Sequence, residues 1–168
     1  MKASILQLGS LDAGKLPLDL REWIDSLTLF DCVNQAADRL NLHAELSSNA
    51  LFSRWYGGLP SVDCLSRLLA FAYCCAVFSS EEVVRTCRTD PIFRELCEHE
   101  LPFREELISF RRSHRALLAE LITTVLHHAL SETFETENTA DSGNLPHRMY
   151  QSAIERLDIA RHLDSTDE

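Results

Sequence analysis

The 168-residue chain is expected to fold as an all-α, compact multi-helix domain. Three observations point there. Only five Gly and five Pro are present, too few turn formers for a sheet protein built of many short strands. Apolar residues recur at intervals of three and four along most of the chain. Those runs also begin at residues suited to opening helices: Pro17, Ser61 or Asp63, Ser79, Asp90-Pro91, Pro102 and Pro146. A chain of this length buries roughly 70% of its unfolded surface, enough for an independent core.

Residues 1–16 read as a polar, flexible leader interrupted by Gly9 and Gly14, without a secretory pattern. The main domain is expected over 17–134. Pro17 opens a short helix from Leu18 to Ser26, with Leu20, Trp23, Ile24 and Leu27 on one face. A second helix spans about Leu29 to Leu40, with Phe30, Val33, Ala37 and Leu40 inward. Ala44 to Trp55 reads as helix or irregular chain, and Tyr56-Gly57-Gly58-Leu59-Pro60 as a break. The next helix reaches about Val77 and is apolar nearly all round apart from Arg67, which predicts a central position. Ser79-Ser80-Glu81-Glu82 reads as a capping box: the Ser79 hydroxyl and the Glu82 carboxylate each satisfy an amide, opening a helix that ends near Arg88. Asp90 and Pro91 open a helix carrying Ile92, Phe93, Leu96 and Cys97.

From Pro102 a single long helix is expected to about Phe134, with Leu107, Phe110, His114, Leu117, Leu121, Val125 and His128 along one stripe. Residues 135–145 form an acidic, polar linker. Pro146 opens a C-terminal amphipathic helix with Tyr150, Ala153, Ile154, Leu157, Ala160 and Leu163, ending in an acidic tail at 168.

Net charge is -10, of which -6 falls in residues 131–168. The body is therefore not basic, whereas nonspecific affinity for DNA needs clustered cations. The six cysteines form no C-x-x-C pair, so buried, reduced thiols are expected and no zinc site. His127 and His128 are adjacent and point about 100° apart on a helix, so they cannot chelate one ion alone. No run of 18 apolar residues occurs, so no membrane span and a cytoplasmic location are expected. Serines and carboxylates form no catalytic arrangement, and neither a catalytic residue nor a cofactor is expected.

Several ordered stretches resemble one family. These are Leu16-Pro17-Leu18-Asp19-Leu20-Arg21-Glu22-Trp23; Gly58-Leu59-Pro60-Ser61-Val62-Asp63; Leu68-Leu69-Ala70-Phe71-Ala72-Tyr73 with Ser79-Ser80; Phe93-Arg94-Glu95-Leu96; and Phe110-Arg111-Arg112-Ser113-His114. Together they are similar to the N-terminal helical domain of insertion-sequence DDE transposases, over about residues 16–130. The departures are specific. Leu59 stands where the family has Arg, Val62 where it has Tyr, and Phe103-Arg104-Glu105-Glu106-Leu107 where it has Asp-His-x-Thr-Ile. A catalytic domain of that family would not fit in the 38 residues after position 130, so the resemblance implies a domain that neither cuts nor joins DNA.

The resemblance and the cation spacing make Arg104, Arg111, Arg112, His114 and Arg115 the candidate contacts to double-stranded DNA. Arg104, Arg111 and Arg115 share one helix side, able to hold phosphates along a groove. Against this, Glu105 and Glu106 occupy the first turn, where they repel phosphate, and the acidic tail can compete with phosphate for the arginine row. Tyr150, Ile154 and Leu157 are the candidate contacts to a second copy or another protein through the C-terminal helix. The two function classes carried forward are a DNA-binding or regulatory remnant and a protein-interaction module that has lost DNA affinity.

Overall fold

The computed structural model describes residues 16–40, 61–98, 100–133 and 145–166. The expectations for the leader up to 15, for 44–60 and for the linker over 135–144 lie outside these residues, and Leu145, expected in the linker, already belongs to the last helix. Seven α-helices account for most of the described chain, with no named strand among them. They are α1 (Ser26–Arg39), α2 (Val62–Cys74), α3 (Ser80–Thr89), α4 (Pro91–Leu96), α5 (Arg104–Ser113), α6 (Arg115–Thr133) and α7 (Leu145–Thr166).

The helix expected over 18–26 is instead one 3-10 turn, Leu20–Glu22. The reason lies at Asp25, whose carboxylate accepts from the amides of Leu27 and Thr28 at 3.0 Å. That cap starts α1 at Ser26, three residues earlier than the apolar spacing alone suggests. The preceding segment is held by polar contacts. Asp19 makes an isolated antiparallel bridge to Cys75, and the Arg21 guanidinium donates to the Asp19 carboxylate at 2.8 Å and to the Cys75 carbonyl at 3.1 Å.

α2 is the central helix, with ten buried residues from Cys64 to Cys74. Ser61 caps it, accepting from the Cys64 amide at 3.1 Å. Arg67, the exception on its apolar surface, reaches Asp63 at 3.0 Å on its own helix, and Asn34 Oδ1 and Asp38 on α1, both at 2.9 Å. The helix ends at Cys74, earlier than Val77, because Ala76 adopts φ 56° and the Val77 amide turns back to the Ala72 carbonyl at 2.9 Å. Asp90 caps α4 through the amides of Ile92 (2.8 Å) and Phe93 (3.2 Å), as expected. The Phe93 ring then packs edge-on against Phe71, with centroids 5.3 Å apart.

The long helix expected from Pro102 is two helices. At His114 the backbone (φ -119°, ψ 29°) leaves helical geometry, while the imidazole stacks on the Phe110 ring at 4.4 Å and its Nδ1 lies 3.3 Å from the Phe110 carbonyl. α6 packs on α1, α2 and, most extensively, α7. Its buried residues run from Leu118 to Leu130 and join one core with α1, α2 and α7.

Candidate nucleic-acid interface

The arginines singled out from the sequence do not form one free row: Arg104, Arg111 and Arg115 each contact α7. Arg111 is only 3% exposed and forms a buried ion pair with Asp164 of α7, itself 3% exposed. This corrects the expectation that Arg111 projects from a solvent-facing row. The Asp164 carboxylate also accepts from the Ser80 amide at 2.8 Å and the Ser80 hydroxyl at 2.6 Å. It therefore caps the first turn of α3 from a distant part of the chain, and Ser79 makes no side-chain cap bond. The capping box expected from Ser79 is replaced by this long-range carboxylate. A carboxylate satisfies that helix end better than a hydroxyl, because it adds charge at the positive end of the helix dipole.

The fully buried Tyr73 phenol lies beside the same guanidinium, outside hydrogen-bonding geometry. Burial pushes its pKa up to about 12, and the neighbouring Arg111 cation opposes that rise. The Arg111 pKa is raised: burial acts to lower it, but Tyr73 and the Asp164 hydrogen bond and charge more than offset that. A charge removed from water this far is retained only when its partner is present and its hydrogen bonds are met.

The other candidates follow the same pattern in part. Arg104 donates to the Asp164 backbone carbonyl at 3.4 Å. Arg115 pairs with Asp158 of α7 at 2.9 Å, with both side chains partly exposed. His114 is half-buried on Phe110, and burial lowers its pKa, opposed by its bond to the Phe110 carbonyl. Arg112 is exposed. Three of the five candidate positions are thus engaged by the C-terminal helix, through Asp158 and the carboxylate and carbonyl of Asp164. Neither aspartate stands out in the sequence, since both sit among ordinary helix-surface residues.

The candidate partner residues divide between two faces. Leu157 is fully buried, with Met149, Ala153 and Ala160, in the core shared with α6. It is therefore corrected from a partner contact to a core residue. Tyr150 is exposed and Ile154 half-buried, and Ile154 lines a shallow outer concavity of about 530 Å³ with Ile159, Leu163, Glu155 and Asp158. The inner face of α7 also carries Arg156, 0% exposed, whose guanidinium bonds the Ser152 side chain and carbonyl and the carbonyls of Pro17 and Leu18. No carboxylate is in ion-pair contact with Arg156 among the described residues. Burial lowers its pKa, partly opposed by Cys74 and Glu155.

The cysteines are all buried and free. Burial pushes Cys32 and Cys74 up to about 11 and Cys64 and Cys87 up to about 12, so these four remain thiols at neutral pH. Among the described residues, no group of three His, Cys, Asp or Glu could hold a metal ion. His128 is buried and its Nε2 lacks a hydrogen-bond partner, while His127 is exposed. No helix of the described residues is long and apolar enough to cross a membrane. Comparison with protein-family models, with curated proteins and with solved structures finds no match to this chain.

Proposed function

We propose that this chain is a non-catalytic helical domain of transposase ancestry that works through protein contacts rather than by holding DNA. The ancestry rests on the ordered motifs from Leu16 to His114. The single observation that favours protein contacts is the buried Arg111–Asp164 pair, which takes the central cation of the row out of solvent. DNA affinity depends on cations that are free to replace condensed counterions on phosphate. An arginine buried on its own aspartate cannot do so without breaking the fold, and the net charge of -10 repels the duplex at long range. Titration of labelled duplex DNA at about 50 and 200 mM salt should therefore show no salt-dependent binding. Tight, salt-sensitive binding that charge reversal at Arg112 abolishes would overturn the proposal.

The rival reading keeps double-stranded DNA as the partner, and one observation favours it. Arg112 is exposed, and the Arg115–Asp158 pair is partly exposed, so phosphate can compete for Arg115. On that reading Asp158→Asn, which removes the competing carboxylate, raises DNA affinity. On the protein-contact reading it leaves DNA binding absent.

A further inference from the structure

Phe103 stands at the N-cap of α5 and is 66% exposed. Leu101 is 44% exposed, and Pro102 between them is buried. The Glu106 carboxylate accepts from the Phe103 amide at 2.9 Å, and the Phe103 carbonyl accepts from Glu106 and Leu107 at 3.1 and 3.2 Å. The backbone carrying the exposed ring is therefore fixed on both sides. Phenylalanine has no acceptor to offer the free amides of the first turn. Ser, Thr, Asp or Asn at this position would stabilise the helix by about 1 kcal/mol. Here, instead, a large apolar side chain extends into water from a fixed backbone, at a position where local stability favours a small polar one.

The surroundings are acidic. Glu98, Glu100 and Glu105, close to the two apolar residues in the sequence, are exposed, and Arg104, the only Lys or Arg between Glu98 and Glu106, turns toward the Asp164 carbonyl. Aromatic anchors carry much of the binding energy of protein interfaces, and a backbone already fixed before binding loses less entropy on association. We propose that Leu101 and Phe103 form a docking site for a basic amphipathic helix of a partner protein. The apolar face of that helix receives the two side chains, and its Lys/Arg flanks meet the glutamates. This rests on the protein-contact reading and adds the site and the chemistry of the partner.

The test uses the full chain and a fluorescein-labelled amphipathic peptide with Leu on one face and Lys on the other, read by anisotropy. A second peptide carries Glu in place of Lys. The chain should bind the basic peptide and bind the acidic one at least about tenfold more weakly. Phe103→Ser should weaken binding of the basic peptide about tenfold or more, while thermal unfolding stays unchanged or moves upward because serine supplies the missing cap. Leu27→Ser, at a comparably exposed apolar position on α1 (67% exposed), should leave affinity unchanged. Absence of binding to the basic peptide, equal binding of both peptides, or affinity indifferent to Phe103→Ser overturns the site. Self-association in sedimentation that Phe103→Ser abolishes also overturns it, in favour of a second copy as occupant. DNA titration judges the protein-contact reading separately, so failure of the site and failure of that reading are distinguishable.

Discussion

Asp164 receives a guanidinium, a backbone amide and a hydroxyl on one buried carboxylate. Removing it strands Arg111 in the interior and uncaps α3. Asp164→Ala is expected to cost about 3–5 kcal/mol, a large share of the stability of a domain this size. Urea unfolding measures this directly. Replacing both partners, Arg111→Met with Asp164→Leu, should cost less than Asp164→Ala alone, because no uncompensated charge is left behind; the Ser80 donors would keep the recovery incomplete. An equal or greater loss in the double variant would mean that the pair contributes net stability. This residue scale was the least legible in the sequence. Periodicity registers apolar residues, and the inner face of α7 includes Arg156 and Asp164, which the pattern assigns to solvent. The arginines were visible as a row because the helix spacing shows it, but their partners lie up to 60 residues away.

Helix existence and order were largely readable, because caps and apolar spacing are local signals. Asp90-Pro91 opens α4, Ser61 opens α2, and the apolar circumference of α2 does place it at the centre. The misses share a cause: local geometry was decided by something the apolar pattern does not encode. The Asp25 cap precedes the apolar spacing of α1, the break at His114 accompanies an imidazole stacked on Phe110, and α3 takes its cap from Asp164. The end of α2 carries a further consequence. Ala76 sits at φ 56°, the left-handed position that glycine occupies without a Cβ penalty. Ala76→Gly is expected to raise stability by up to about 1 kcal/mol, the steric relief being partly offset by the greater freedom of glycine in the unfolded chain. A fall in the thermal midpoint would show that the Ala76 methyl makes packing contacts that outweigh this penalty.

At the level of the whole molecule, α7 is a wall of the core. Met149, Ala153, Leu157 and Ala160 are buried with the apolar residues of α6, and Asp164 and Arg156 tie it to three other parts of the chain. Deleting residues 145–168 should therefore abolish cooperative unfolding and expose apolar surface to a dye such as ANS. A sharp, dye-free transition in the shortened chain would show that α7 is dispensable. The acidic balance that argued against DNA was legible from composition, whereas the docking of α7 was not, because an amphipathic helix specifies a face but not the surface that receives it. Arg156 adds a constraint on how the protein comes into being. It holds the carbonyls of Pro17 and Leu18, which precede it by 139 and 138 residues. A ribosome adding 5–20 residues per second makes the beginning of that contact on the order of ten seconds before its end. Until then the segment at 17–18 has no guanidinium to meet, α3 lacks its carboxylate cap, and the apolar face of α6 lacks the residues of α7 that cover it. Closure waits on the synthesis of residue 156, and any ribosome that stalls before it releases a chain that cannot complete the contact.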